Sequence, residues 1–230
     1  MTTSQTPYLR LIAVLTLCIW STRLHGATIY SNLVKPGDLY GPDSLAIGAI
    51  PVPGFFFQYA ATNFTVFGQD YRLSTLELPL FAVLGPPEVD VFLMEDNGNL
   101  PGTVLEQFSV TSFPAPSNGT PALVSIPSVV QPLLIAGRQY WVAAAGGTST
   151  FAEWALTLFA GDPVGGGATR SIQNGFDYGW VHNPGTRLAA LRVSGDPVSA
   201  VPEPSTILLV GGGLIALGRV RRIVRVKPDR

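Results

Sequence analysis

The residues with the clearest potential for chemistry are carboxylates around the segment EDNGNLPG, residues 95–102. Asp90, Glu95 and Asp96 carry hard oxygen ligands of the kind that Ca²⁺ prefers, so they are candidate calcium ligands. Their spacing departs from the twelve-residue EF-hand loop, and the Asn-Gly pair within the segment is a favoured two-residue turn of a β-hairpin. The sequence therefore favours a hairpin turn here, and we expect no cofactor.

The sequence contains few of the residues that a hydrolase active site requires. His182 is the only histidine outside the first 27 residues, and no G-x-S-x-G nucleophile elbow accompanies it. We expect it to be a surface residue of an aromatic hairpin or loop formed by NGFDYGWVHNPG, residues 174–185. A carboxylate pair such as Glu153 and Asp162 is the remaining candidate, because two carboxylates at a suitable separation hydrolyse glycosides. The sequence predicts no enzyme and no catalytic residue, and a secreted hydrolase is kept as an alternative.

Five aromatic side chains are candidates for binding: Tyr140, Trp141, Trp154, Tyr178 and Trp180. Rings that share an exposed face can stack on sugars, which would give a carbohydrate-binding module. Tyr140 and Trp141 are adjacent in a predicted strand, so their rings point to opposite faces and at least one is expected in the core. Burial is the favoured interpretation for the set, with Trp154 and Trp180 retained as candidates for glycan stacking.

The elements that position these residues follow a two-residue period. In residues 71–81, for example, Leu76, Leu78 and Leu80 alternate with Glu77 and Pro79. In residues 88–95, Val89, Val91 and Leu93 share a face opposite Asp90. The candidate strands are residues 27–33, 55–67, 71–81, 88–95, 103–110, 122–126, 138–145, 151–159 and 188–193. This pattern predicts an all-β fold, an antiparallel β-sandwich of the jelly-roll type, with Pro79 at an edge or bulge. The segment DPVGGGATR, residues 162–170, is predicted to be a flexible connection.

Charge is distributed unevenly along the chain. Residues 28–204 contain six Lys/Arg against fourteen Asp/Glu, a net charge of about −8. Residues 219–230 contain six of the fourteen basic side chains. An acidic body is a poor partner for phosphate backbones, so nucleic acid is excluded as a partner. The basic end follows an apolar run and is typical of a membrane topology signal.

The N-terminus has the features of a secretory signal peptide. Arg10 precedes the apolar run of residues 11–20, and small residues follow at Gly26 and Ala27. The run is too short to span a bilayer, which takes about 20 residues, and a buried core helix is the alternative. Cys18 is the only cysteine, so the exported protein is expected to contain no thiol or disulfide.

The C-terminus predicts a short membrane helix over residues 205–218, which follows directly on Pro204. Fourteen residues reach about 21 Å, short of a hydrocarbon core of about 30 Å. Extension would bury Arg219, Arg221 and Arg222, each costing roughly 2.5–3.5 kcal/mol at mid-bilayer. Insertion is therefore marginal, and these stop-transfer charges hold the basic tail on the cytoplasmic side.

The sequence VPEPST, an apolar stretch rich in Leu and Gly, and then RVRR together resemble the PEP-CTERM sorting signal of exported bacterial proteins. The resemblance implies that an exosortase, a membrane-embedded cysteine transpeptidase, recognises Pro202, Glu203 and Pro204 and cleaves the tail near them. It also implies transient anchoring in the inner membrane, followed by release to the cell envelope or the exterior. A plain tail anchor, with the Pro-Glu-Pro triplet as a linker, is the alternative.

The body carries a second resemblance. YSNL, VDVFLMEDNGNLPGTVLEQFSV, PLLIAGRQYWVAAA and FAEWAL are similar to segments of choice-of-anchor domains, closest to the R-type domain. This implies an exported structural or interaction module, with roles in matrix or biofilm and a possible exopolysaccharide partner as expectations. The predicted regions are 1–27 signal peptide, 28–195 sandwich, 196–204 linker with the Pro-Glu-Pro motif, 205–218 transmembrane helix and 219–230 cytoplasmic tail.

Overall fold

The computed structural model describes residues 26–33, 41, 43–50, 56–113, 121–157, 166–185 and 187–198. These residues form thirteen strands and no helix. The strands are β1 (Ala27–Ser31), β2 (Ser44–Ile50), β3 (Phe56–Thr65), β4 (Tyr71–Leu84), β5 (Val89–Asp96), β6 (Pro101–Val110), β7 (Ala122–Pro127), β8 (Leu133–Leu134), β9 (Gln139–Gly146), β10 (Phe151–Ala155), β11 (Gly167–Gln173), β12 (Phe176–Asn183) and β13 (Arg192–Pro197). The prediction of an all-β protein is confirmed for this part of the chain.

The predicted terminal helices, the signal peptide up to residue 25 and residues 205–218, lie outside the described residues. Within the residues that the structure does describe, no helix has the length and apolar character needed to cross a bilayer.

All strand pairs between the named strands are antiparallel. The main hydrogen-bonded path runs β1-β13-β4-β10-β2-β3-β9-β5-β6. Strands β7 and β8 also pair with β4, and the hairpin of β11 and β12 joins through β3. The half of the path around β4 and the half around β9 both contribute to one core, so the architecture is sandwich-like.

The period-two alternation of the sequence places the core. In β4, Leu76, Leu78 and Leu80 are fully buried, as are Val91 and Leu93 in β5. Apolar side chains on alternating positions of an antiparallel strand share one face, and here that face is turned inward. The predicted core positions of these two strands are confirmed.

A buried asparagine holds the segment before β13 against the sandwich. Asn32, only 4% exposed, donates from Nδ2 to the carbonyl of Ala189 at 2.9 Å, and its Oδ1 accepts from the backbone N–H of Leu191 at 2.6 Å. The indole N–H of Trp154 donates to the carbonyl of Ala190 at 2.7 Å. Because these groups are buried, their hydrogen bonds offset a desolvation cost that would otherwise be large.

The structure corrects several predicted strands. The last strand covers Arg192–Pro197 instead of residues 188–193. Residues 188–191 make only an isolated bridge, between Leu156 and Ala189, and are otherwise held by single hydrogen bonds from backbone and side-chain groups. Strands β2, β8, β11 and β12 were not among the predicted strands, although a hairpin was one of the two interpretations given for residues 174–185. The connection predicted over residues 162–170 is wrong for residues 167–170, which belong to β11 and pair with both β3 and β12.

Pro79 lies where β4 has a strand partner on one side only. It pairs with Leu123 of β7, whereas the ladder with β13 ends at Glu77 and the ladder with β10 begins at Leu80. The strand is locally an edge on that side, which suits a residue without a backbone N–H.

A close approach of two backbones forms the corner of the sandwich. Strand β2 pairs with β10 through residues 44–48 and with β3 through residues 48–50, so Gly48 lies where the chain passes from one half to the other. The N–H of Ala49 donates to the carbonyl of Thr150 at 2.8 Å. Gly48 has φ of 92°, and a Cβ there would lie 2.2 Å from that carbonyl oxygen. Only glycine fits this position.

We predict that Gly48→Ala destabilises the protein by about 2–5 kcal/mol, because a left-handed backbone strain of about 1–2 kcal/mol adds to overpacking of about 1–3 kcal/mol. Gly68→Ala is the matched control, since Gly68 has φ of 84° but no atom within 4 Å of the added Cβ. Urea denaturation midpoints measure the difference. Equal destabilisation by the two variants would show that the corner is not sterically closed.

Candidate functional site

A tight hairpin presents Trp180, an aromatic candidate that lines an open groove. Strands β11 and β12 are joined by Asn174 and Gly175, with φ of 51° and 81°, the left-handed values that a two-residue type I′ turn requires. The register shifts between Arg170 and Ile172, opposite a segment that contains Gly179 with φ of 68°. This bulge brings Trp180 directly opposite Arg170.

Three side chains form a row across β3, β11 and β12. Arg170 pairs in register with Tyr59 on one side and with Trp180 on the other. Its guanidinium carbon lies 5.3 Å from the centre of the Tyr59 ring, within the range of a cation–π contact. The rings of Tyr59 and Trp180 are 6.1 Å apart and meet edge to face. The row is therefore one aromatic and cationic surface built from three neighbouring strands.

A small apolar cluster lies beside this row. Trp141 is fully buried between Ala61, Ala143, Ala168 and the 8%-exposed Met94, away from the main core. Trp180 packs against this cluster and is only partly buried. The adjacent Tyr140 belongs to the main core, where its ring stacks on Phe64 at 5.9 Å. The two rings point to opposite faces of β9 as predicted, and both are buried.

An open groove of about 690 Å³ lies between the row and the β5–β6 hairpin. One wall has Arg170 and Trp180, and the other has Asp96, Asn97 and Val104. An aromatic surface opposed to carboxylate and amide groups can hold a ligand that has both apolar faces and hydroxyl groups.

Asp96 orients the indole of Trp141 in the apolar cluster beside the row. Its Oδ1 accepts from Trp141 Nε1 at 2.7 Å and from Gln139 Nε2 at 2.8 Å, and its Oδ2 accepts from the backbone N–H of Asn99 at 3.3 Å. The carboxylate therefore orients a buried ring and closes the β5–β6 turn at once. The hairpin turn favoured for residues 95–102 is confirmed.

Arg170 of the groove wall forms a solvent-exposed ion pair with Asp177 of β12. Arg170 donates from Nε to Asp177 Oδ1 at 3.0 Å and from a terminal nitrogen to Oδ2. The hydrogen bond from Arg170, followed by that from the backbone N–H of Gly179, lowers the pKa of Asp177 to about 2. The same hydrogen bond raises the pKa of Arg170. The two hydrogen bonds to Asp177 fix the orientation of the guanidinium beside the two rings.

The calcium candidates are not brought together. Asp90 accepts from Ser109 Oγ at 2.8 Å, while Asp96 lies six residues further along β5, about 20 Å away in an extended strand. Among the described residues, no three His, Cys, Asp or Glu side chains form a group that could hold a metal ion. The suggestion that Asp90, Glu95 and Asp96 converge on calcium is therefore corrected.

The other predicted site residues are dispersed. Trp154 is fully buried and its N–H is bonded to a backbone carbonyl, so it is corrected as a glycan-stacking residue because a sugar cannot reach it. His182 is exposed on β12, as expected for the hairpin. Glu153 accepts from the hydroxyl of Ser44, while its suggested partner Asp162 lies outside the described residues. Tyr178 is exposed in the bulge of β12.

Sequence reasoning missed Tyr59, Arg170 and Asp177. The Asn-Gly pair signals the hairpin and therefore the proximity of Arg170 to residues near position 180. The bulge shifts the register by one residue, and the pairing of β11 with β3 joins positions more than one hundred residues apart. Neither feature has a local signal in the sequence.

Residues 200–222 match the model of the PEP-CTERM protein-sorting motif. The match spans Pro202, Glu203 and Pro204 as well as Arg219, Arg221 and Arg222, all of which lie outside the described residues. The chain therefore carries a C-terminal sorting motif of this type, as predicted. Comparison with curated proteins and with solved structures gives no match.

We predict that Arg170→Gln raises the pKa of Asp177 from about 2 toward its ordinary value of 3.8, because the largest cause of the shift is removed. A carboxyl group with a lowered pKa stabilises the fold above pH 3.8, and this contribution is lost as the pH falls through about 2. The variant should therefore lose less stability over that interval. Carboxyl ¹³C titration by NMR measures the pKa.

Arg187→Gln is the control, because it removes the ion pair of Arg187 with Asp43 elsewhere on the surface. It should leave the pKa of Asp177 at about 2. An unchanged pKa in Arg170→Gln would assign the shift to the N–H of Gly179 instead.

Proposed function

We propose that this protein is an exported cell-envelope or extracellular protein whose tail is recognised and cleaved by an exosortase. The observation that carries the proposal is the PEP-CTERM motif at residues 200–222. A sorting motif of this kind implies export and a stay at the membrane, and a processing enzyme is the partner it implies.

The chain ends support the same route. An apolar run after Arg10 directs the body across the inner membrane, and the basic residues 219–230 stay behind by the positive-inside rule. The Pro-Glu-Pro triplet then lies on the outer side. Two prolines favour an extended backbone there, and such a backbone is suited to an enzyme cleft. The marginal length of the apolar segment makes anchoring transient until cleavage releases the body.

The body acts as a structural or interaction module without enzymatic activity. Its similarity to choice-of-anchor domains of the R type and a jelly-roll connectivity are both part of this proposal. They are supported by the antiparallel, sandwich-like arrangement of the thirteen strands. A hydrolase acting through Glu153 is the least supported alternative, since Ser44 already bonds its carboxylate. Equal activity of wild type and Glu153→Gln on glycosides and esters would remove it.

A carbohydrate-binding module is the second candidate function, favoured by the groove beside Trp180. The Trp180 ring is partly exposed and is held in place by the row with Arg170 and Tyr59. It lines a groove of about 690 Å³ whose other wall carries carboxylate and amide groups. Rings pre-oriented in this way bind at a low entropic cost. Extracellular polysaccharide is the ligand class that fits both the groove and the exported location.

We predict that the protein isolated from its native envelope lacks both the signal peptide and the residues after the Pro-Glu-Pro triplet. In a strain without the exosortase, residues 205–230 should remain attached. Glu203→Gln should reduce cleavage by about tenfold, equivalent to about 1.4 kcal/mol, if the enzyme reads the carboxylate. Intact-mass spectrometry distinguishes the processed chain from the chains that keep the signal peptide or the tail.

Asp196→Asn is the matched control, because it removes an exposed carboxylate seven residues upstream of Glu203, at the end of β13. It should be processed like the wild type. A protein that keeps Met1, or keeps Arg230 in both strains, would overturn the proposed route.

We predict for the second candidate that Trp180→Ala weakens binding to an immobilised polysaccharide by at least about tenfold, or about 1.4 kcal/mol. Phe176→Ala is the control, because Phe176 is a 72%-exposed ring on the same strand that does not line the groove. A polysaccharide array with both variants is the measurement. Equal binding by the two variants, or none by wild type, would exclude this site.

A further inference from the structure

Two adjacent valines are displayed on a loop between β7 and β8. Val129 is 88% exposed and Val130 is 64% exposed, and Leu133 at the start of β8 is also exposed. Large apolar side chains held in water are costly, and a contiguous group of them marks a contact surface more often than a single one does. We define these three residues as the valine loop.

A buried carboxylate holds the valine loop rigid. Glu106 of β6 is 5% exposed and accepts from the backbone N–H groups of Val129 at 2.7 Å and Val130 at 2.9 Å. It also accepts from Ser128 Oγ at 2.5 Å. Three hydrogen bonds to one charged group fix the conformation of the loop. The exposure of its valines is therefore a property of an ordered loop.

The valine loop lies at the end of the body where the chain leaves toward the tail. Leu133 pairs with Arg72 on one side of β4, and Asp196 of β13 pairs with Arg72 on the other side. The last paired residue, Pro197, lies opposite Tyr71 at the first position of β4. Two strand neighbours of the same residue are about 10 Å apart, since adjacent strands are about 4.8 Å apart.

We propose that the valine loop contacts the outer surface of the lipid bilayer while the tail is anchored. The inference rests on the proposed membrane attachment. From Pro197 to Ser205 there are eight residue steps, which span at most about 28 Å when fully extended. The end of the body that carries the loop therefore stays within this reach of the predicted membrane segment, and a rigid apolar tip at that end can reach the interface.

The contact is apolar rather than electrostatic. Arg72 and Arg138 are exposed near the loop, whereas Asp70, Asp196 and Glu106 carry the opposite charge. No net positive patch is present at this end among the described residues, so anionic lipid is not required. Zwitterionic vesicles are therefore a sufficient probe.

The experiment uses the full chain with Cys18→Ser, so that an introduced cysteine is the only one. Val129→Cys and Leu84→Cys are each labelled with a polarity-sensitive fluorophore and reconstituted into phosphatidylcholine vesicles with or without brominated acyl chains. Leu84 is the matched control, because it is 57% exposed at the opposite end of the fourteen-residue β4. Quenching at position 129 should exceed that at position 84 by at least about twofold.

Two results would overturn the inference, and they have different consequences. If the chain pellets with the vesicles but the label at position 129 is quenched no more than the label at position 84, the valine loop does not touch lipid and the proposed anchoring still stands. If the chain stays in the supernatant, anchoring fails and the inference fails with it. Circular dichroism of the labelled variants confirms that both remain folded.

Discussion

The close approach of Gly48 to the carbonyl of Thr150 is the constraint on which the rest of the body depends. Strand β2 pairs with both β10 and β3, and it passes from one to the other at Gly48, where a Cβ would clash with the carbonyl of Thr150. This turn lets the strands around β4 face those around β9 and close one core over fully buried leucines and Trp154. The corner thus converts a set of amphipathic strands into a sandwich-like body.

Polar side chains, of which Asn32 and Glu106 are buried, connect separate strands of the body as disulfides do in many exported proteins. The only cysteine lies within the predicted signal peptide. Asn32 holds the segment before β13, Glu106 joins the edge strand β6 to the valine loop, and Asp96 orients Trp141. Each satisfies several partners at once, so removing one would leave buried donors unpaired, at about 1–3 kcal/mol per group. The body is held by connected hydrogen bonds rather than by covalent links.

The two parts of the chain carry information of different kinds. A sorting signal is read as an extended peptide and a membrane segment, so its content is the order of residues near the C-terminus. The groove beside Trp180 is a surface assembled from strands that are distant in sequence. The groove lies wholly within the described body, so it does not depend on the tail residues that carry the sorting motif.

The sequence by itself determined the all-β class, the buried faces of β4 and β5, the hairpin turn within residues 95–102 and the sorting motif. All of these depend on residues close together along the chain, where period-two alternation and turn chemistry act directly. Only the tertiary structure decided that Trp154 is buried, that the calcium candidates are apart, and that Tyr59, Arg170 and Trp180 form a row. These facts follow from long-range strand pairing and from a one-residue bulge, and a register shift of that size changes which side chains meet without any local signature.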